Sequence, residues 1–213
     1  MKIRRTANAG VLLELDGVSI LLDGVCREVE PYPATPPEER NRLLTELPDA
    51  VAFTHAHKDH YDPAYTAEYI RQTGRAVFAP EGIRGGTLEA ASVGTVAVTP
   101  VRCRHIGAAG KDTPHAGFVI TGTKCIWFTG DSSPSAWKGR EDLPKPDVLI
   151  VPYAYCNTPN SWAFTKSLKA RVILLHMPNR ERDTVGLWTA VENTLGSDPV
   201  RIPEVSETIE FDD

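Results

Sequence analysis

Four side chains of metal-ligand type, His55, His57, Asp59 and His60, fall within the run His55-Ala56-His57-Lys58-Asp59-His60. They come directly after Ala50–Thr54, a short apolar run bounded on its other side by Pro48-Asp49, which is the pattern of a buried strand. That adjacency constrains the chain more than any other feature, because it puts the cluster in the loop at a strand's C-terminal end. Two alternate imidazoles leaving a strand end meet at one ion, while Asp59 and His60 turn towards a second. Imidazole nitrogen and carboxylate oxygen are donors that zinc accepts. The competing reading is a polar surface loop with incidental histidines. Three of the chain's 6 histidines packed beside an aspartate speak against it.

The surrounding pattern supplies a frame for such a loop. Val11–Leu15 and Val18–Leu22 are β-rich runs joined by Asp16-Gly17, a dipeptide that tolerates positive φ, so a hairpin is expected near the start. Cys26–Ala34 reads as a loop. Thr35-Pro36-Pro37-Glu38 reads as a helix start, with Thr35 as cap and Glu38 completing a capping box, and that helix is expected to run to about Leu47. Asp62-Pro63 starts a second helix that Gly74 stops, and Ala76–Ala79 is the strand beyond it. Thr95–Val98, Val101–Arg104, Gly117–Thr121 and Cys125–Phe128 are expected as short strands, the last two forming a hairpin through Gly122-Thr123-Lys124. Strand and helix then alternate: Asp147–Val151 extended, Trp162–Lys169 helical, Arg171–Leu175 extended, Asp183–Leu195 helical. Two stacked β layers flanked by helices suit this order.

Length and charge narrow the classes of function. A chain of 213 residues suits one domain spanning 1–213. No segment approaches the roughly 18 uninterrupted apolar residues of a membrane span, and Val11–Leu15 is too broken by Glu14 and Asp16 to serve as an export signal. A cytoplasmic protein without membrane attachment is expected. The net charge of -5, with scattered basic residues, argues against nucleic acid or anionic lipid as a partner and for a small-molecule substrate. Homo-oligomerisation is left open. Cys26, Cys103, Cys125 and Cys156 form no C-x-x-C pair, so reduced, buried thiols are expected.

His-Ala-His-Lys-Asp-His at residues 55–60 matches H-x-H-x-D-H, and with its strand it resembles the signature of the metallo-β-lactamase superfamily. Other markers follow in that family's order. Ile20-Leu21-Leu22-Asp23 resembles its early strand ending in an aspartate. Ile126-Trp127-Phe128-Thr129-Gly130-Asp131 resembles the strand delivering a metal-bridging aspartate, and Val172-Ile173-Leu174-Leu175-His176 the one delivering the final histidine. The chain looks most like a compact branch that includes L-ascorbate-6-phosphate lactonase-like hydrolases. The resemblance implies an α/β fold, an αββα four-layer sandwich with the metals at one edge between the sheets. By carry-over, His55, His57 and a later histidine hold one ion, Asp59, His60 and His176 hold another, and Asp131 bridges them.

Two zinc ions (Zn2+) are the cofactors this donor set favours, with manganese (Mn2+) or iron (Fe) as alternatives. A glutamate in place of His57 would instead resemble a di-iron branch. Such a centre makes a metal-bound hydroxide available at neutral pH. Asp59 is the expected general base. The expected activity is therefore a binuclear metal-dependent hydrolase acting on a small-molecule ester, lactone, amide or phosphodiester. A nucleotide or RNA phosphodiesterase of the same superfamily, and a non-catalytic metal-binding protein, are the alternatives.

The later histidine is His105 or His115. His105 ends the strand Val101–Arg104 and precedes the turn Ile106-Gly107-Ala108-Ala109-Gly110, as His55 and His176 also end strands, and is favoured; His115, after Pro114, is the competitor. Asp23 is expected beneath the metal loop, orienting a ligand histidine or the loop backbone. Tyr153, Tyr155 and Asn157 follow Asp147–Val151 and are candidates to orient substrate, as are Ser132, Ser133 and Trp137 beyond Asp131. Lys58 is read as a solvated charge.

Overall fold

Side chains on a strand alternate between faces, so each apolar strand here divides its residues between two cores. In Val11-Leu12-Leu13-Glu14-Leu15, Val11, Leu13 and Leu15 join one buried cluster and Leu12 another. Val18, Ile20 and Leu22 join the first cluster while Leu21 joins the second. Farther along, Ile126, Phe128, Val148 and Ile150 meet that same first cluster, and Trp127, Leu149 and Val151 form a third. Two sheets that share one face and each cover the other with helices satisfy this division.

The computed structural model describes residues 1–107, 110 and 112–211 and has that arrangement. The chain opens with β1 (Lys2–Arg5), β2 (Val11–Leu15) and β3 (Val18–Leu22), then runs through α1 (Pro37–Glu46), β4 (Ala50–Ala52), α2 (Pro63–Thr73), β5 (Val77–Phe78) and β6 (Gly86–Thr87). Next come β7 (Ala91–Val93), β8 (Val96–Arg102), β9 (Ala116–Thr121), β10 (Cys125–Phe128) and β11 (Val148–Pro152). Last are α3 (Pro159–Ser167), β12 (Arg171–Leu175), α4 (Leu187–Leu195), β13 (Val200–Arg201) and β14 (Thr208–Glu210). Among the described residues the strands make two 7-stranded sheets, ordered β14-β1-β2-β3-β4-β5-β6 and β13-β12-β11-β10-β9-β8-β7. Leu43 of α1 and Tyr65 and Tyr69 of α2 cover the outer face of the first sheet; Trp162 of α3 and Val191 and Leu195 of α4 cover that of the second. This is the expected αββα sandwich. No helix among the described residues is long and apolar enough to cross a membrane.

Strand direction places the chemistry. β3, β4 and β5 run parallel in one sheet, and β10, β11 and β12 in the other. Asp23, His55, Asp131 and His176 follow β3, β4, β10 and β12, so all lie at one edge of the sandwich, where parallel strands commonly present ligands. β8 and β10 are each antiparallel to β9, so the end of β8 and the start of β9 reach that same edge. A backbone bond from the Ala116 amide to the Thr54 carbonyl (2.9 Å) ties the two sheets together there.

Four local expectations are corrected. Thr35 does not cap α1: its hydroxyl accepts the Cys26 amide (2.9 Å), closing the preceding loop, and the cap is Pro36. Thr95–Val98 and Val101–Arg104 are parts of the single strand β8, whose Pro100 pairs with Phe118. α3 begins at Pro159 rather than Trp162, because Thr158 supplies a side-chain cap to the Ser161 amide. α4 begins at Leu187 rather than Asp183. Gly186 sits in the left-handed region at φ 73°, and the Asp183 carboxylate caps from outside by accepting the Leu187 (2.9 Å) and Trp188 (2.8 Å) amides. Asp62 and Gly74 bound α2 as expected, and Asp16 and Gly17 both adopt the positive φ that their hairpin needs.

Candidate metal centre

The loop after β4 turns tightly, with the His60 and Tyr61 amides both bonded to the His57 carbonyl, and so directs its donors two ways. One donor atom from each of His55, His57 and His105 falls in a group no more than 4.8 Å across, and so does one from each of Asp59, His60 and His176; a third group, Asp23 with His55 and His60, shares donors with both. Asp131 stands between the first two. Its Oδ1 is 3.0 Å from His176 Nδ1, while its Oδ2 is 3.4 Å from His60 Nε2 and 3.7 Å from His105 Nε2.

Hydrogen bonds behind the rings fix which nitrogen carries a proton. The Thr54 hydroxyl donates to Asp23 Oδ2 (2.6 Å), so it accepts from His55 Nδ1–H (2.9 Å). His60 Nδ1–H donates to the same Asp23 oxygen (2.8 Å), and His105 Nδ1–H donates to the Ile106 carbonyl (2.6 Å). All three rings therefore turn Nε2 forward, and each of these Nε2 atoms, like that of His115, is buried without a hydrogen-bond partner. Three unpartnered Nε2 atoms from the donor groups beside two carboxylates are what a divalent cation would satisfy, so the residues fit a metal. His57 differs, since its Nε2 lies 3.2 Å from the Thr113 hydroxyl and leaves Nδ1 as its free donor.

Close backbone approach makes the cage small. A Cβ on Gly10 would stand 2.0 Å from the Asp23 carbonyl oxygen, and one on Gly130, at φ 51°, would stand 2.4 Å from a Thr54 carbon. His176 adopts φ 61°, uncommon for a non-glycine residue, while its amide bonds to the Asn8 carbonyl (3.2 Å) and its ring bridges Asp131 and Asp59. Electrostatics follow from burial. Burial alone would lower His60, yet Asp131 and Asp23 hold it well above the ordinary histidine value. Burial would likewise raise Asp131, yet His176 and His60 hold it well below the carboxylate range. Burial and then the neighbouring His60 push His55 well down.

A model of the β-lactamase superfamily domain matches residues 19–185 of the chain. The chain belongs to the metallo-β-lactamase superfamily. It is 29% identical over 177 residues to a UPF0173 metal-dependent hydrolase of Methanopyrus kandleri, covering 71% of each chain. A UPF0173 metal-dependent hydrolase of Methanosarcina mazei is 27% identical over 172 residues, covering 71% of this chain and 70% of that one. Among solved structures, an isothiocyanate hydrolase from Delia radicum gut bacteria superposes with a TM-score of 0.74 at 20% identity, covering 99% of both chains. As a member of this superfamily, the chain is a metal-dependent hydrolase.

The sequence-predicted residues divide around this centre. His55, His57, Asp59, His60, His105, Asp131 and His176 converge on it, and Asp23, fully buried, lies directly beneath. The turn assigned after His105 includes Ala108 and Ala109, which lie outside the described residues. His115 stands behind His55, its ring centre 5.0 Å away, and its Nδ1 faces the Cys103 thiol at 3.2 Å. It belongs to neither donor group. Burial pushes its pKa down to about 3 and that of Cys103 up to about 11, so the two meet as neutral groups.

Of the substrate candidates, Tyr153 is near, its ring 5.9 Å from that of His176. Tyr155 is not at the mouth: it is fully buried in the outer core of the second sheet, with its hydroxyl 3.4 Å from Ser132 Oγ. Asn157 lines a separate groove with Trp162, Lys166 and Thr194. Ser132 is occupied in accepting the Trp137 indole N–H (2.6 Å). Two contributors were missed. Thr54 ends the strand, and its hydroxyl beside the first histidine is well placed to orient that ring. Tyr32, within the loop after Asp23, carries its ring to 4.4 Å from His176; an aromatic in a loop leaving the same edge was the available signal.

Proposed function

We propose that this chain is a binuclear hydrolase acting on a small-molecule ester, lactone, amide or phosphodiester. The observation that carries the reading is the pair of three-donor groups with Asp131 facing both. His55, His57 and His105 would hold one ion, Asp59, His60 and His176 the other, and Asp131 would bridge. Two divalent ions, zinc by donor chemistry with manganese or iron as alternatives, supply an acidified water and a field that stabilises negative charge developing on the substrate.

The chain's own residues do the rest. Asp59 remains partly exposed, 14% at its side chain, with one carboxylate oxygen 3.1 Å from His176 Nε2. Burial works to raise its pKa, but the His176 hydrogen bond and the charge of His60 outweigh it and hold the group below its ordinary value. An ionised carboxylate at the mouth is placed to take a proton from the attacking water, the role of general base. Asp23 and Thr54 hold the rings behind it in register. The four cysteines are unpaired, which suits a reducing compartment such as the cytoplasm.

Elemental analysis of protein purified without chelator tests the centre, with two ions per chain expected. A reproducible ceiling of one ion after zinc or manganese loading sinks the binuclear reading. The Asp131→Asn variant should lose the most metal, because an amide supplies no negative bridge. Turnover is then sought on lactone, phosphodiester, thioester, β-lactam and isothiocyanate substrates, the last suggested by the structurally similar isothiocyanate hydrolase from Delia radicum gut bacteria. kcat/KM should change little across a salt series; a fall of several orders of magnitude would mark a polyanionic substrate instead.

A further inference from the structure

The mouth of the centre carries two phenols that the metal donors do not use. Tyr32 lies in the loop between β3 and α1 and Tyr153 directly after β11, so one comes from each sheet. Their hydroxyl oxygens are 3.3 Å apart, and both rings flank His176, at 4.4 Å and 5.9 Å between centres. Both residues are only partly buried. His176, which both rings flank, bridges Asp59 and Asp131, so the phenols stand beside the donors.

The Tyr32 loop is held from several sides. Val29 and Tyr32 pair as an antiparallel bridge within it. The Arg27 amide bonds to the Lys58 carbonyl (2.7 Å) and its guanidinium to the Tyr61 carbonyl (3.3 Å), anchoring the loop to the histidine run. Arg182 pairs with Glu28 (2.5 Å) from the segment after β12. A phenol carried on so braced a loop keeps its position when a ligand arrives, which is the condition for using it as a fixed donor.

Each phenol has one O–H to donate, and a mutual bond consumes one of the two. One O–H is left over at the mouth. We propose that Tyr32 and Tyr153 act as a single donor unit whose spare O–H binds an oxygen of the substrate at the metal edge. The unit therefore selects small substrates that carry a hydrogen-bond acceptor on or next to the atom attacked. This deepens the hydrolase reading above and rests on it.

The test compares Tyr32→Phe, Tyr153→Phe and the double variant, each first checked for wild-type metal content and thermal midpoint. Affinity of the metal-loaded protein for inorganic phosphate, whose oxygens resemble those of an attacked carbonyl, is read by calorimetry. Kinetics on whichever panel substrate the wild type turns over give a second reading. Each single variant keeps one O–H, now without its partner, so phosphate should bind less than tenfold more weakly. The double variant keeps none and should bind phosphate about tenfold to a hundredfold more weakly than wild type, as for one hydrogen bond to a charged acceptor. kcat/KM should fall by similar factors. A double variant within twofold of wild type in both measurements, or a single variant that loses as much as the double, overturns the proposal. If the wild type turns over nothing, the hydrolase reading fails, and phosphate affinity still decides the phenol unit.

Discussion

Asp23→Asn isolates the support beneath the metal donors. Asparagine suits the position, since Asp23 sits at φ 46° and asparagine tolerates that region better than most residues, leaving the backbone in place. The carboxylate accepts three buried bonds: the Thr54 amide at 2.7 Å on Oδ1, and the Thr54 hydroxyl at 2.6 Å and His60 Nδ1 at 2.8 Å on Oδ2. An amide cannot accept on both sides. If its NH2 faces the Thr54 amide, two donors oppose each other in a fully buried place. If it is flipped, His60 must accept at Nδ1 and carry its proton on Nε2, the atom a metal needs. One unsatisfied buried donor costs about 1–3 kcal/mol, and losing the charge-assisted bonds adds to that, so roughly 2–4 kcal/mol of stability should disappear. Metal affinity at the Asp59, His60 and His176 group should fall about 10–100-fold. Urea unfolding of metal-stripped protein and a zinc titration read the two effects separately. A variant within about 0.5 kcal/mol of wild type, with unchanged affinity for the second ion, would refute this account of Asp23.

His105→Ala should lose metal from the first group and nearly all activity, whereas His115→Ala should retain metal even if its rate falls; metal analysis of the pair decides, and the reverse pattern would exchange their roles. Because burial depresses His115 to about 3, the unfolded chain binds a proton below about pH 6.5 that the folded chain refuses, so stability is lost as the pH falls through that window. At pH 4.5 metal-free wild type should lose roughly 1.4 kcal/mol more per pH unit than His115→Gln, as read by urea unfolding at successive pH values; equal slopes would exclude His115 as a cause. Asp62→Ala removes the acceptor for the Ala64 (2.8 Å) and Tyr65 (3.3 Å) amides at the start of α2 and should cost about 1 kcal/mol in thermal unfolding without changing metal content.

The donors were legible in the sequence because most of them follow apolar strands, and strand ends at one edge of a sandwich must converge. Spacing could not separate His105 from His115. β9 is antiparallel to its neighbours, so its first residues reach the same edge as the last residues of β8, and only the Cys103 thiol at His115 Nδ1 shows how that ring is turned. Tyr153 and Tyr155 were equally eligible because both follow β11. The chain there forms a 3₁₀ turn, Tyr153–Cys156, in which successive side chains rotate by about 120°, so Tyr155 points into the core while Tyr153 stays by the site. Tyr32 is harder to place for a different reason: the loop leaving the site edge marks it only coarsely, and its exact position depends on tertiary anchors at Lys58, Tyr61 and Arg182, none of which leaves a local pattern.

The two donor groups draw on segments far apart in the chain; Asp59 and His176, 3.1 Å apart in space, are 117 residues apart in sequence. Neither group exists until both sheets have formed and docked, with the Ala116 amide closed onto the Thr54 carbonyl. An ion therefore meets only the local donors of residues 55–60 in a partly assembled chain, and a complete set only in the native one. It binds the finished protein most tightly, so its main effect is to lengthen the time the native state survives before it opens.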